Sequence, residues 1–277
     1  MYNVHEQLRF GQEIGFPSDE QSGGVSCLKV PALGKAVALL QVVAREPGLG
    51  FTGIQDRLGM PKSSTHHLIS TMCELGLIKR RSLGGFGLGS RLLELASIAN
   101  ESHDLQRDAM PLLREFAQRV QLSCHLGVLE QGYAVYLARV EGARDIVVKS
   151  HVGQRFPVNC SALGKSLVAW MAPERLDVVI ANIAFEKRMP KTVTNASDFR
   201  LQLTEVRCRG WALDDEEQAP NCRCVAAPIR DRDGVVVAAI SAVGTLEQVK
   251  DGRLESLAAQ VIDVASAISQ FVYNTDT

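Results

Sequence analysis

The sequence lacks a long hydrophobic run. The longest nearly apolar stretch, residues 235–243, is about half the roughly 18 residues that a membrane-spanning helix needs, and Ser241 interrupts it. Residues 1–24 are polar and acidic, whereas a secretory signal peptide has a basic start and then an apolar segment. We therefore expect a cytoplasmic protein with no membrane partner.

A disulfide framework is also missing. The chain has 277 residues and only seven cysteines, an odd number that is thinly spread, so most of them are expected to be reduced and buried. Cys222 and Cys224 are separated by one residue, whereas structural zinc sites usually space their ligands by two to four and need a second pair. We expect no metal site and no cofactor.

The chain has almost no net charge, but its charges are unevenly placed. Its 30 Lys and Arg residues oppose 31 Asp and Glu residues, and 46% hydrophobic with 22% charged residues is normal for a soluble globular protein. Residues 28–91 contain nine basic and three acidic side chains, a net of +6, which leaves −7 for the remainder. This asymmetry suggests that one part of the chain meets a polyanion.

Residues 28–90 have the pattern of a winged helix-turn-helix. Apolar positions predict a first helix that starts at Pro31 and stops at Glu46-Pro47-Gly48, a second over residues 52–58 with Thr52 as N-cap, and a third from Lys62 to Gly76. Residues 77–81 and 86–88 flank a Gly-Gly tip and predict a two-stranded wing. Residues 1–27, which lack periodicity, are interpreted as a mobile arm.

The third helix carries polar groups on the face opposite its apolar residues. Short polar side chains near a helix N-terminus suit a DNA major groove and its phosphates, although a merely solvated helix face is the plainer interpretation. The helix-turn-helix pattern, the wing and the local positive charge together favour double-stranded DNA as the partner. The candidate contacts are Lys62, Ser63, Ser64, Thr65, His66 and His67 on the helix, with Arg80 and Arg81 on the wing.

The rest of the chain predicts an α+β domain. A linker helix over residues 91–104 precedes residues 105–277, where a second helix covers residues 105–120. Short alternating segments then predict strands, further helices and strands again, which is typical of an antiparallel sheet with helices. The predicted strands are residues 123–129, 133–140, 145–150, 211–214, 223–230 and 235–243; the predicted helices are 161–170, 173–183, 198–209 and 253–271.

The order of these segments resembles the IclR family of bacterial transcription regulators, from about Val30 to the end. The matching stretches are LGMPKSSTHHLISTMCELGLIKR and FGLGSRLLELA, then VGQRFPVNCSALGKSLVAWM, RGWALDDEEQAPNCRCVAAPIRD and GVVVAAISAVG. The resemblance implies a GAF/profilin-like effector-binding domain behind the DNA-binding domain. It also implies a homodimer or dimer of dimers whose operator affinity changes with a small metabolite, often a carboxylate or an aromatic-degradation intermediate.

The resemblance also implies an effector pocket, formed by Ala162, Leu163, Asp214, Cys224 and Ser241. Backbone N–H groups at the predicted helix start could hold a carboxylate there, and three strands could bring the polar side chains together. Without the resemblance, Ser241 and Cys224 would be ordinary small core residues and Asp214 part of a solvated acidic run.

The sequence departs from the family pattern at several positions. His67 stands where the family usually has Arg, so we expect phosphate binding there to be weaker and more pH-sensitive. Asn221-Cys222 stands where the family commonly has a Gly before the Arg-Cys pair, and Val243 stands where some relatives have a second Ser. These departures leave the polarity of the pocket, and hence the effector, open.

Two other classes of function compete with this interpretation. A redox-sensing regulator could use Cys160, Cys222 and Cys224, with Arg223 activating a neighbouring thiol. An enzyme could use His125 or His151 as a base and Cys160 as a nucleophile, but no spacing supports a catalytic triad. The glycine-rich run 84–89 lies in the predicted wing, without the helix that a phosphate site needs. We therefore expect a regulator that is not an enzyme.

Overall fold

The computed structural model describes residues 30–101, 104–142 and 150–273. Its chain contacts divide the molecule into two compact units between residues 103 and 104. The predicted arm, residues 1–27, lies outside the described residues, as does nearly all of the predicted strand 145–150. No helix in the described part of the chain is long and apolar enough to cross a membrane.

The first unit is a winged helix-turn-helix followed by a further helix. It comprises α1 (Pro31–Arg45), α2 (Phe51–Leu58), α3 (Lys62–Glu74), β1 (Ile78–Arg80), β2 (Phe86–Leu88) and α4 (Ser90–Glu101). One buried cluster holds the first five elements together because each contributes apolar side chains at its predicted spacing. The cluster consists of Leu39, Val43, Ile54, Ile69, Met72, Ile78 and Phe86.

The predicted start of the second helix is wrong by one residue. Helix α2 begins at Phe51 with Gly50 as its N-cap, and no side chain caps it. Thr52 therefore lies within the first turn instead of capping it. The other end matches the prediction, because Gly59 adopts a left-handed conformation with φ of 58°, which glycine reaches without steric cost.

The second unit is an antiparallel six-stranded sheet with helices on both faces. Its strands lie in the order β5-β4-β3-β8-β7-β6, and every neighbouring pair is antiparallel. In chain order the elements are α5 (Asp104–Val120), β3 (Ser123–Glu130), β4 (Tyr133–Val140), β5 (Arg155–Pro157), α6 (Ala162–Val168), α7 (Pro173–Ala181), α8 (Ala196–Arg209), β6 (Ala212–Asp215), β7 (Arg223–Arg230), β8 (Val236–Gly244) and α9 (Asp251–Tyr273).

The two faces of this sheet bury separate apolar clusters. Helices α5 and α9 cover one face, where Leu126, Val225 and Ile240 pack against Phe116 and Val261. The short helix α6 packs against the opposite face. The alternation of side chains along each strand therefore assigns neighbouring residues to different cores.

The sequence did not predict strand β5, which comprises only Arg155–Pro157 and pairs with β4. Three residues are too few for an alternating pattern to be recognised. The α+β class and the antiparallel sheet are confirmed.

Candidate functional site

The exposed face of α3 presents most of the predicted DNA contacts. Lys62, Ser63, Ser64, His66 and His67 are all exposed, and no side chain caps the N-terminus of the helix. Backbone N–H groups in this first turn have no partner within the helix, so they remain available to a phosphate. The face thus combines an ammonium group that has no salt bridge among the described residues, two hydroxyls and two imidazoles.

Thr65 does not belong to this surface. Its side chain is fully buried, and its hydroxyl donates a hydrogen bond of 3.1 Å to the carbonyl oxygen of Pro61. The prediction that Thr65 contacts DNA is therefore wrong, because position 65 lies on the side of α3 that faces Ile69 and the core. Its role is to fix the first turn of the helix.

The wing brings two cations beside α3. Arg80 and Arg81 are exposed and join no salt bridge in the described part of the chain. The Arg80 guanidinium lies 5.2 Å from the centroid of the Phe86 ring, which restricts its position. Both arginines and His66 line a groove of about 310 Å³ between α3, the start of α2 and the wing.

Backbone hydrogen bonds fix the wing to the turn between α1 and α2. The N–H of Gly48 donates to the Phe86 carbonyl at 2.8 Å, and the Phe86 N–H donates to the Leu49 carbonyl at 3.0 Å. Gly85 has φ of 70°, and a Cβ there would lie 1.9 Å from the Gly48 carbonyl oxygen. Only glycine allows this approach, so the second position of the Gly-Gly tip predicted from the sequence requires glycine.

In the second unit, the strands place the predicted effector residues on one face of the sheet. Asp214 on β6 pairs with Cys224 on β7, and Cys224 pairs with Val243 on β8, two residues from Ser241. Because alternate residues of a strand share a face, Ser241 points to the same side as Val243. Ala162 and Leu163 begin α6, which packs on this side. The structure therefore brings all five predicted residues to one face.

Several polar atoms on this side are buried without a partner. Ser241 is fully buried, and its Oγ has no oxygen or nitrogen partner in the described part of the chain, although it lies beside the weakly polar Cys224 thiol. Ser166 Oγ on α6 is likewise buried without a partner among these residues. Buried polar atoms in native proteins are almost always paired, so each exception asks for an explanation. A ligand with polar groups would provide partners for these atoms.

His125 is a further candidate that the sequence did not single out for the effector site. It lies opposite Ser241 on β3, stacks on Tyr136 with centroids 4.2 Å apart, and pairs through Nε2 with Ser150 Oγ at 2.9 Å. Its Nδ1 has no partner in the described residues. Burial and the nearby Arg139 charge lower its pKa to about 3, so the ring stays neutral at physiological pH.

Helix α6 is shorter than predicted, and a side chain caps its start. The helix has seven residues, and Ser161 Oγ accepts a hydrogen bond from the Gly164 N–H at 3.1 Å. In the first turn of α6, the N–H groups of Ala162 and Leu163 have no acceptor among the described residues, whereas those of Gly164 and Lys165 are paired with Ser161. Gly127 on β3 makes room for this segment, because a Cβ there would lie 2.7 Å from Leu163 Cδ2.

The acidic run divides into buried and surface carboxylates. Asp214 and Glu217 are each 4% exposed, whereas Asp215 forms salt bridges with Arg223 and Lys191 at 2.7 and 2.8 Å. Asp214 Oδ1 accepts a hydrogen bond from the Glu217 N–H at 2.8 Å. Burial, with a smaller contribution from the Glu217 charge, raises the pKa of Asp214 to about 7. The view of this run as wholly solvated is therefore wrong.

The cysteines do not favour the redox alternative. Cys160, Cys222 and Cys224 are buried, and burial is the main cause that raises the pKa of Cys160 to about 12 and those of the other two further above their usual range. Arg223 is already held by Asp215 and Asp251. Since the thiolate is the reactive form, these thiols are poor redox sensors. The described residues contain no cluster of three or more metal-binding side chains.

Comparison with known proteins places both units in one family. Residues 32–82 match the IclR helix-turn-helix domain, and residues 98–270 match the family described as bacterial transcriptional regulator IclR C-terminal. The HTH-type transcriptional regulator RhmR of Escherichia coli, itself uncharacterized, is 33% identical over 88% of this chain and 94% of its own.

Solved structures agree with this assignment. The Thermotoga maritima IclR structure has a TM-score of 0.72 and 26% identity over 86% of this chain and 97% of its own. An IclR homologue from Microbacterium hydrocarbonoxydans, complexed with 4-hydroxybenzoate, has a TM-score of 0.74 and 27% identity over 87% of this chain and 98% of its own. The chain belongs to the IclR family of bacterial transcriptional regulators.

Proposed function

We propose that this regulator binds operator DNA through the exposed face of α3 and the wing, and that a small carboxylic acid bound under α6 changes its operator affinity. The effector half of the proposal rests chiefly on one observation: Ser241 and His125 are buried side by side with unpartnered polar atoms. The DNA half rests on the exposed cations of α3 and the wing, which join no salt bridge in the described part of the chain.

The chemistry of the effector site favours an anion that accepts hydrogen bonds. Serine hydroxyls and the N–H groups of Ala162 and Leu163 are donors, and the neutral His125 ring donates from Nδ1 when its Nε2 accepts from Ser150. Asp214, with its pKa near 7, supplies a further donor when protonated. A carboxylate uses all of these groups as an acceptor. The 4-hydroxybenzoate held by the Microbacterium homologue is an acid of this kind.

Two aromatic rings favour an aromatic or planar acid over a branched one. Tyr136 stacks on His125, and the Phe156 ring lies tilted by 41° to Tyr136, with the two centroids 4.8 Å apart. Flat ligands gain from offset stacking on such rings. Val243, two residues from Ser241 on β8, keeps part of the wall of the proposed effector site apolar.

We propose that the DNA contacts are Lys62, Ser63, Ser64, His66 and His67, with Arg80 and Arg81 holding phosphates beside the groove. Helix N-termini and short polar side chains suit base edges and backbone in the major groove, and wing cations suit the flanking phosphates. The protein acts as a homo-oligomer, because two copies of one recognition helix read a palindromic operator at fixed spacing.

Fluorescence anisotropy tests both halves. The full chain is titrated into labelled DNA from upstream of its own gene, with scrambled DNA as a control, at several salt concentrations. Specific binding with a steep salt slope supports the DNA contacts. Adding benzoate or 4-hydroxybenzoate, with neutral benzamide as the matched control, should change operator affinity only for the acids. Equal responses to benzamide and benzoate would remove the carboxylate from the proposal.

A further inference from the structure

A second cavity lies beside α8, away from the residues assigned to the effector. Its volume is about 240 Å³, and α6, α8, β6 and the residues after β6 form its wall. Three cationic and three acidic side chains line it, so the wall has no net charge. These are Lys165, Lys191 and Arg209, with Glu205, Asp215 and Glu217. We call this space the α8 cavity.

Two buried acceptors in the α8 cavity lack partners. Glu217 is 4% exposed; its Oε1 pairs with Lys165 Nζ, whereas its Oε2 has no hydrogen bond in the described residues. Gln202 on α8 also lines the cavity, and its Oε1 is buried and unpartnered in the same way. Since both atoms accept hydrogen bonds, the missing partner is a donor.

Arg209 supplies the opposite charge at the same cavity. Its guanidinium lies 4.0 Å from the centroid of the Trp211 ring, and its Nε donates to the Trp211 carbonyl oxygen at 2.7 Å. No salt bridge among the described residues engages Arg209, whereas Lys165 and Lys191 each have carboxylate partners. A guanidinium fixed in this way offers its remaining N–H groups to a carboxylate.

We propose that the α8 cavity binds a small zwitterion of the amino-acid type. The ligand's ammonium donates hydrogen bonds to Gln202 Oε1 and Glu217 Oε2, and its carboxylate pairs with Arg209. A wall whose positive and negative side chains balance suits a ligand with one charge of each sign, because each ligand charge then meets an opposite side-chain charge. The volume suits a ligand below drug size.

This site is separate from the effector site but shares a wall with it. Glu217 lines the α8 cavity, and its backbone N–H donates to Asp214 Oδ1 at 2.8 Å on the effector side. A ligand held by the Glu217 carboxylate therefore restrains the residue that positions Asp214. The proposal does not depend on the identity of the effector or on DNA binding.

Isothermal titration calorimetry of the full chain tests the proposal with glycine, L-alanine, L-serine and L-glutamate as probes. Ethylamine and propionate, which each carry only one of the two charges of L-alanine, are the matched controls. We expect at least one amino acid to bind saturably, at least tenfold more tightly than either control. Gln202→Leu and Arg209→Met should each weaken this binding at least tenfold, whereas Arg200→Met, on the same helix and outside the cavity, should leave it unchanged.

Three results would overturn the proposal. If no amino acid binds at concentrations up to about 10 mM, well above the millimolar Kd of a weak specific site, the cavity is not an amino-acid site. Thermal denaturation shows whether the Gln202→Leu and Arg209→Met proteins are folded. If both are folded and binding survives in each, the ligand lies elsewhere. If Ser241→Leu abolishes it, the amino acid occupies the effector site instead.

Discussion

Ser241 on β8 and His125 on β3 lie directly opposite each other in the sheet, and each keeps one polar side-chain atom without a partner in the described residues. Burying an unsatisfied polar group costs about 1–3 kcal/mol. Two adjacent examples are therefore unfavourable for stability alone, and a ligand that pairs with both would recover that free energy on binding.

Replacing Ser241 by alanine should separate stability from binding. We expect Ser241→Ala to leave the melting temperature unchanged or raise it, because it removes an unsatisfied hydroxyl. The affinity for the best-bound acid should fall about tenfold, since a hydrogen bond to a charged group contributes about 1.5 kcal/mol. Thermal denaturation and calorimetry measure the two effects.

Ser123→Ala is the matched control for this prediction. Ser123 lies on β3, and its Oγ accepts a hydrogen bond from the Gly142 N–H at 3.2 Å. Its loss should lower stability by about 1 kcal/mol and leave acid binding intact. A Ser241→Ala protein that is less stable, yet binds the acid normally, would contradict the assignment.

The raised pKa of Asp214 predicts how stability depends on pH. Its folded pKa of about 7 lies above the ordinary aspartate value of 3.8, so between these pH values the folded state binds more protons than the unfolded state. The contribution of Asp214 to stability is therefore fully present below about pH 4 and is lost as pH rises towards 7. Urea denaturation should show that Asp214→Asn becomes more stable, relative to the wild type, as pH increases through this window. An unchanging difference between the two proteins would show that Asp214 does not titrate there.

The same group should make effector binding pH-dependent. Protonated Asp214 donates a hydrogen bond to a bound carboxylate, whereas ionised Asp214 repels it. Affinity for the acid should therefore fall as pH rises through about 7, with proton uptake on binding that is small well below this pH and increases as pH rises through it. Calorimetry in buffers of different ionisation enthalpy measures the uptake. In Asp214→Asn the affinity should be flat over this range; an identical decline in the variant would assign the dependence to another group.

Lys62 at the start of α3 should contribute to operator affinity through a phosphate. We expect Lys62→Ala to weaken binding to all DNA sequences and to reduce the slope of log affinity against log salt by about 1. Lys35→Ala, which removes the same charge from exposed helix α1, is the control and should have a smaller effect. Anisotropy titrations at several salt concentrations provide the slopes, and equal slopes for all three proteins would exclude Lys62 from the interface.

Gly85 should tolerate substitution far less than its neighbour Gly84. Both have positive φ, so alanine at either position costs about 1 kcal/mol in backbone strain. A Cβ at Gly84 meets nothing within 4 Å, whereas one at Gly85 would collide with the Gly48 carbonyl oxygen. Gly85→Ala should therefore cost roughly 1–3 kcal/mol more than Gly84→Ala in chemical denaturation. Similar losses for the two variants would mean that the wing moves aside freely.

The sequence was sufficient where local patterns determine structure. Apolar spacing and the stops at Glu46-Pro47-Gly48 and Gly59 predicted the helix-turn-helix, because helix periodicity and glycine conformations act within a few residues. Family resemblance, not local pattern, identified Asp214 among four consecutive acidic residues.

The remaining features depend on contacts between distant residues. Glu217 is buried because Lys165, 52 positions earlier, reaches its carboxylate. Thr65 has a polar side chain on a polar helix, yet its hydroxyl is satisfied by the backbone and it faces the core. His125 acquires its candidate role only when the β3–β8 register sets it beside Ser241. No spacing rule within one segment contains this information.

The two backbone hydrogen bonds between the wing and the α1–α2 turn fix where the wing lies, independently of the side chains proposed to contact DNA. They involve no side-chain group, so they hold the wing in place whatever residues occupy positions 82 and 83, provided that glycine stays at position 85. Leu83, the tip residue before the two glycines, is 94% exposed and supports nothing in the core. Residues 82 and 83 can therefore be exchanged at little cost in stability while the arginines stay where they are. This makes the tip a natural place to alter operator preference by design, and a position where related regulators can diverge without refolding.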